Sequence, residues 1–481
     1  MQYCFSRFAH EFRSESATCY LNSLKLRPVY VQNEFALLLQ DIYRKNQHHF
    51  FNAHELISQN RCYAEILKSL EEEKIIAASP EVDNVLHKIR ASLPAPQLAI
   101  MYLVVTEQCN LSCSYCFMNS SLNRAKHPHR QHMSITTAQK ALDFFCSIIG
   151  RSKGSFEEEK TIIIHGGEPL TNRDCVLHIP NQIQELKLRK MLPEETNSVI
   201  NTNSTLLTEE LVKAIKPSGT SISLSIDGGT AEFNHHRRYC DGRETFDNVI
   251  SAINLLRQHQ VNFGLSITLS EDVLLRADEL LASIEQLNIQ NIGVNPIIPS
   301  KDSPSSEQYS ELVAQFIIKA YKRLHPLGFS EDRIARKIIC FANAALYPWD
   351  CGAGGGRQVV VAPNGDVGIC HGLIGERTDF VTRVDNLDFD PGKSEVFWKW
   401  RNFSPLCHHE CEACSALGIC GGGCPLRAYE MSGKWNSIDK QFCSHAKKTL
   451  EFLVWEYWRR LQKTAAQRER STYETEAYSA A

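Results

Sequence analysis

Short β-branched runs alternate with amphipathic stretches through the middle of this chain, and that alternation limits the fold more than any other feature. The runs are LAIMYLVV from Leu98, TIIIH from Thr161, SVIN from Ser198, SISLSI from Ser221, FGLSITL from Phe263 and NIGVNP from Asn291. Between them lie helical patterns such as ITTAQKALDFFCSII and FDNVISAINLLRQH. Parallel strands need crossover connections, so this alternation predicts an α/β unit with a parallel sheet. Over residues 98–300 the expected architecture is a partial TIM-like (β/α)6 barrel. Periodicity by itself leaves a doubly wound sheet open.

Residues 1–93 read as a separate small α+β domain. Asn52 with Glu55 is a helix-start signal, and Ala64, Leu67 and Leu70 recur at helical spacing before Ile75 and Ile76. The run ending LEEEKIIA resembles winged-helix modules that bind leader peptides, and reads equally well as a plain capping domain. The Pro-rich ASLPAPQ, from Ala91, is the linker into the next unit. A helical connector is expected over 301–339, a Cys-rich domain over 340–445, a C-terminal helix over 446–463 and a flexible polar tail over 464–481. On that helix Leu450, Leu453, Val454, Tyr457, Trp458 and Leu461 share one stripe.

Composition narrows the setting. At 43% hydrophobic and 22% charged, the 481 residues can bury a large core. A net charge of −3 gives no electrostatic reason to expect nucleic acid or an anionic membrane. No apolar run approaches the roughly 20 residues that span a bilayer, and MQYCFSRFAHEFRSES lacks a signal-peptide core. The expected location is the cytoplasm, where 18 cysteines read as metal ligands rather than disulfides.

Three of them, Cys109, Cys113 and Cys116, lie in TEQCNLSCSYCFM, directly after the first strand. In a barrel of βα units that places them on the rim where reactive groups gather. Three thiolates hold a [4Fe-4S] cluster by three corners and leave one iron free, which suits catalysis; a closed site suits structure. A zinc site completed by a distant ligand such as His165 is the competing reading. The second strand ends in HGGEP, bringing Gly166, Gly167 and Glu168 to the same rim, where two glycines would admit a ligand and Glu168 an ammonium group. Asn203, Ser225, Asp227 and Thr268 add polar groups, and Arg238 in NHHRRYC offers a partner for a carboxylate.

C-x3-C-x2-C with Tyr115 before the last Cys, followed by GGEP, resembles the radical S-adenosylmethionine superfamily over roughly residues 98–299. The resemblance implies a cluster on Cys109, Cys113 and Cys116 whose open iron is chelated by the methionine moiety. An electron from the cluster then cleaves the sulfonium to a 5'-deoxyadenosyl radical. It further implies that Gly166, Gly167 and Glu168 receive the amino group, and that Asn203, Ser225 and Arg238 lie near the ribose or carboxylate.

A second cysteine field follows: Cys351-x13-Gly365-x4-Cys370, then Cys407, Cys411-x2-Cys414-x5-Cys420-x3-Cys424, and Cys443. C-x2-C also suits a zinc ribbon. The spacing resembles the SPASM extension of radical enzymes that modify peptides, which implies two auxiliary [4Fe-4S] clusters with interleaved ligands. Cys351, Cys370 and Cys424 would serve the first, and Cys411, Cys414, Cys420 and Cys443 the second. Cys407 is the expected eighth ligand, with Cys340 or a substrate group as alternatives. The expected cofactors are therefore S-adenosylmethionine and three [4Fe-4S] clusters.

The C-terminal pattern looks most like maturases that install thioether or cyclophane-type cross-links in ribosomally made precursor peptides. The implied partners are such a peptide and an electron donor such as flavodoxin or ferredoxin. An anaerobic sulfatase-maturating, formylglycine-generating enzyme is the alternative. Those enzymes typically carry an Asp base right after the second Cys of the Gly-x4-Cys segment, where this chain has His371, the candidate catalytic base. A non-catalytic zinc-stabilised peptide-binding protein is the remaining class; it would have no use for a three-thiolate loop beside GGEP.

Overall fold

The computed structural model describes residues 2–46, 50–78, 84–123, 130–151, 159–298, 306–435 and 437–479. Residues 301–305 of the expected connector and 480–481 of the tail lie outside them.

The N-terminal region contributes strands β1 (Gln2–Phe5), β2 (Ala9–Arg13), β3 (Thr18–Asn22), β4 (Val29–Val31), β5 (Phe51–Asn52) and β6 (Ile76–Ala77). β2, β3 and β4 form an antiparallel meander, and β1 pairs antiparallel between β5 and β6. Helices Asn33–Lys45, Ala53–Gln59 and Tyr63–Glu72 join this second sheet around Phe35, Leu39, Phe51, Leu56 and Leu70. Asn52 caps the second of them, its side chain accepting from the His54 amide at 3.1 Å.

The central strands are β7 (Ile100–Thr106), β8 (Thr161–Gly166), β9 (Asn197–Thr202), β10 (Ser221–Ile226), β11 (Phe263–Leu269), β12 (Asn291–Pro296) and β13 (Ser330–Glu331). They lie side by side in chain order, every pair parallel. Strand order is what distinguishes a sequentially wound barrel sheet from a doubly wound one, where the order reverses at a switch point. The partial barrel is the arrangement found.

The domain boundaries differ from those expected. The connector is not wholly helical, because after helix Glu307–Leu324 the chain adds β13 as a seventh parallel strand. The Cys-rich region is not separate either. Its strand β14 (Gln358–Val361) runs parallel to β7, with Gln358 opposite Ile100. Antiparallel β15 (Asp366–Gly368) and β16 (Phe380–Arg383) follow it, completing a 10-stranded sheet. Gln358, Val359, Val360 and Val361 are all buried, as a strand inside a sheet requires.

The C-terminal helix spans Lys440–Ser479 instead of 446–463, and so runs through the stretch expected to be tail. Asp439 precedes it and its side chain accepts from the Phe442 amide at 3.3 Å, so Cys443 sits in the first turn. Downstream, AAQRER consists of strong helix formers with no Gly or Pro to stop it. Leu450, Leu453 and Val454 bury against Cys19, Leu21 and Leu26 of the N-terminal region. Tyr30 stacks on Trp458 at 4.7 Å and its hydroxyl donates to the Val454 carbonyl at 2.5 Å. Among the described residues no helix is long and apolar enough to cross a membrane.

Leu450→Ala should therefore destabilise the protein by about 2–5 kcal/mol, because Leu450 is fully buried where the helix meets the N-terminal region. Leu461→Ala, at an exposed position of the same helix, should stay within about 0.5 kcal/mol. Urea unfolding followed by tryptophan fluorescence compares them.

Candidate functional site

The three-cysteine loop leaves the end of β7 and is held by the end of β8. The Gly167 amide donates to the Thr106 carbonyl at 2.9 Å and the Glu168 amide to the Gln108 carbonyl at 2.8 Å. A Cβ on Gly166 would lie 2.6 Å from the Thr106 oxygen, and one on Gly167 only 2.3 Å from the Gln108 oxygen. The glycines are therefore required by the cysteine loop itself. Admission of a ligand, the reason expected from the sequence, is not what forbids a side chain there.

Glu168 is wholly buried and its carboxylate is committed. It accepts from Leu170 N at 3.0 Å, Thr202 Oγ1 at 2.6 Å and Asn203 N at 2.7 Å. Burial outweighs those bonds and pushes its pKa up to about 7. It ties the second strand end to the third. The Gly166–Gly167 backbone is the part of GGEP that lines the cavity.

On the far side Arg237, not Arg238, points inward. Its Nε donates to Asp227 Oδ1 at 2.8 Å, both side chains are buried, and its guanidinium lies 5.6 Å from the centre of the Tyr115 ring. The Tyr115 hydroxyl donates to the other Asp227 oxygen. Arg238 is partly exposed and spends its donors on His235, Gly242 and Glu244 of its own loop. In NHHRRYC the segment pairs with the cysteine loop through the Leu111–Tyr239 bridge, and neighbouring side chains on such a ribbon face opposite ways. That parity inverts the assignment made from the sequence.

One cavity of 610 Å³ joins these parts, a size typical of small-molecule sites. Its lining includes Cys109, Cys113 and Cys116, the Gly166–Gly167 pair, Asn203, Ser225, Arg237 and Thr268. Asn201, which the sequence reading passed over, also lines it, and its buried Oδ1 has no partner among the described residues. It could have been found by noting that SVIN ends on a polar residue at the same rim.

Cys351, Cys424 and His371 line the same cavity. His371 stacks face to face on Tyr102 at 4.5 Å and lies 5.2 Å from His165. Burial, with His165 beside it, pushes its pKa down to about 3. His165, weighed above as a zinc ligand, is likewise pushed down by burial to about 4.

The cysteines assemble in groups that act on one another electrostatically. Cys109 is raised to about 12 and Cys113 to about 11, first by burial and then by their neighbours in the loop. Burial first, then Cys424 and Cys351, raises Cys370; burial, then Cys414 and Cys443, raises both Cys411 and Cys420. Cys407 joins neither group; it faces Arg401 and Arg90 from the turn Pro405–Cys407. Cys340 faces Lys337 and Arg336. Expected as the eighth ligand and its alternative, neither is brought to the Cys351 group, because each lies on a segment held by other side chains.

Between Cys420 and Cys424 three consecutive glycines adopt φ of 73°, 82° and 75°. Side chains disfavour that left-handed region, so only glycines let the backbone pass from one group to the other in so few residues. Buried thiolates gathered this closely need a bound cation to remain ionised, and a coordinated thiol is deprotonated outright. Sets of three and four thiolates are the donors that iron-sulfur clusters take.

Residues 103–276 match the Radical SAM superfamily. The barrel of this chain is thus a radical S-adenosylmethionine domain. The chain is 23% identical over 370 residues to the radical SAM cyclopropyl synthase TigE of Paramaledivibacter caminithermalis, covering 74% of each. It is 22% identical to the serine-type anaerobic sulfatase-maturating enzyme of Klebsiella aerogenes, covering 66% of this chain and 77% of that one. The structure of anSMEcpe with bound AdoMet superposes with a TM-score of 0.61 at 17% identity, over 77% of this chain and 96% of the other. That last likeness is one of fold.

Arg237→Met should cost about 3–5 kcal/mol by leaving the Asp227 carboxylate buried and unpaired, and should lower iron content after reconstitution. Arg238→Met should change neither. Chemical denaturation and iron analysis separate the two.

Proposed function

We propose that this chain is a radical S-adenosylmethionine enzyme that oxidatively modifies a ribosomally synthesised precursor peptide, closing a thioether or cyclophane-type cross-link. The observation that carries the proposal is the shared cavity, lined both by Cys109, Cys113 and Cys116 and by Cys351 and Cys424. The chemistry supplied when the first cluster and S-adenosylmethionine are bound is one-electron cleavage of a sulfonium to a 5'-deoxyadenosyl radical.

The chain's own residues set up that chemistry. Cys109, Cys113 and Cys116 would hold the cluster. The Gly166–Gly167 backbone would receive the amino group, and Asn201, Asn203 and Ser225 offer polar atoms to the nucleoside. Tyr102, Phe117 and His371 wall the space between the cysteine groups with aromatic faces, which exclude water from a substrate radical. Cys351, Cys370 and Cys424, and Cys411, Cys414, Cys420 and Cys443, would hold auxiliary clusters able to take the second electron. With its three helices on a three-stranded antiparallel sheet, the N-terminal region suits capture of a leader peptide. TigE is named a cyclopropyl synthase, which supports bond-forming chemistry on this scaffold. The reductant would be a flavodoxin or ferredoxin.

A second reading is formylglycine generation, as the names of the sulfatase-maturating relatives suggest. Two observations favour the first. The anSMEcpe chain is covered to 96% yet accounts for only 77% of this chain. His371 stands where an Asp base is typical of those enzymes.

Anaerobic co-expression with a short peptide encoded beside this gene tests the proposal. Mass spectrometry should show a loss of two hydrogens per cross-link, and Cys113→Ala/Cys116→Ala should abolish 5'-deoxyadenosine. Formylglycine in a sulfatase-derived peptide would favour the second reading.

Lys337 adds a prediction. Fully buried, it donates to Asp350 Oδ1 at 3.3 Å and to the carbonyl of Cys420 at 3.1 Å, so one positive charge sits between the two C-terminal cysteine groups. Adding an electron to a cluster beside a cation is favourable. Lys337→Met should lower the reduction potential of an auxiliary cluster in an EPR-monitored redox titration.

A further inference from the structure

His235, His236 and Asp272 stand outside the cavity, and neither the radical chemistry nor the cysteine groups use them. His235 Nε2 lies 3.2 Å from Asp272 Oδ2, and His236 Nε2 lies 3.2 Å from Asp272 Oδ1. One ligand atom from each residue falls within 4.8 Å of the others. For tetrahedral zinc with bonds of about 2.0–2.1 Å, ligand atoms sit about 3.3 Å apart. Each histidine already stands at about that separation from one Asp272 oxygen, and the three ligand atoms lie within 4.8 Å of one another.

The other nitrogen of each ring is engaged. His235 Nδ1 is 2.9 Å from the Glu232 carbonyl, which can only accept, so Nδ1 donates there and Nε2 is the nitrogen left to face Asp272. His236 Nδ1 is 2.8 Å from Ser114 Oγ. Outer hydrogen bonds of this kind fix the tautomer and aim the ring in metal sites. The remaining charges nearby are already paired, Glu232 with Arg276 and Glu244 with Arg238. A hollow of 370 Å³ lined by His235, Glu232, Glu244, Asp272 and Arg276 leaves room for a further ligand.

We propose that His235, His236 and Asp272 bind a divalent transition-metal ion of the zinc type. Two imidazoles and one carboxylate suit zinc better than calcium or magnesium, which prefer all-oxygen sets. The ion would act as a clamp. Its two histidines begin the segment that pairs with the cysteine loop: Ser114 N donates to the His236 carbonyl at 3.3 Å, Ser112 N to Arg238 at 2.9 Å, and Cys240 N to Asn110 at 3.1 Å. Asp272 follows the end of β11. Metal binding would pin the strip that backs the three-cysteine loop to the barrel rim.

The test is anaerobic calorimetry with Zn²⁺ on the iron-reconstituted full chain, with iron measured before and after. One Zn²⁺ per chain should bind with no loss of iron. His235→Gln and Asp272→Asn should weaken binding at least tenfold at unchanged iron content. Ser114→Ala should weaken it by about tenfold, as outer-shell partners do. Bound Zn²⁺ should also slow amide exchange over residues 110–114 and 236–240. An ion pair only, seen as no saturable Zn²⁺ binding by the wild type, would overturn the proposal. So would binding that is equal in Asp272→Asn, or binding that releases iron from the cysteine sites.

Discussion

The structure depends on two strand ends meeting without side chains between them. Where β8 stops, Gly166 and Gly167 lie so close to Thr106 and Gln108 that any Cβ would strike a backbone oxygen. The contact lets Gly167 and Glu168 donate amide hydrogens to the cysteine loop, which fixes the start of the loop against the barrel rim. From that anchor follow the position of the three thiols, the burial of Glu168, and the face of the cavity that Gly166 and Gly167 line.

Charge is then managed by buried ion pairs beside the thiols. Asp227 and Arg237 neutralise each other below Tyr115, while Lys337 and Asp350 do the same behind the C-terminal cysteines. Arg427 with Asp439 forms a third buried pair beside Cys424. Each pair leaves its partners satisfied, so the cysteine groups face fixed dipoles and charges rather than mobile water. The arrangement suits redox chemistry, because a preorganised environment has little to rearrange when an electron moves.

The two ends of the chain belong to one body through different interactions. β14 extends the barrel sheet by main-chain pairing with β7, which places Cys351 and Cys370 beside Tyr102. The meander of the N-terminal region instead meets the C-terminal helix through apolar contacts around Leu450 and through Tyr30 on Trp458. Arg90, on the helix Asn84–Ser92 that precedes the Pro-rich linker, binds Glu412 next to Cys411 at 2.7 Å. A peptide held by the N-terminal region would be close in the chain's architecture to the cysteine-rich end.

The strands, their parallel sense and the three-cysteine loop were legible in the sequence, because period-two burial, crossover length and ligand spacing are local properties. Cys351, Cys370 and Cys424 were grouped through the resemblance to the SPASM pattern, and in the folded chain Cys351 and Cys424 lie near enough to act electrostatically on Cys370. Strand order needed the tertiary structure, since nothing in a run of residues says which neighbour it will pair with. So did the choice of Arg237 over Arg238, which a one-residue change of face decides. Cys407 looks like a ligand in the sequence, yet packing turns it toward arginines. His235, His236 and Asp272 are separated by a helix and a strand, and only the barrel's closure of the β10 and β11 ends brings them to one point.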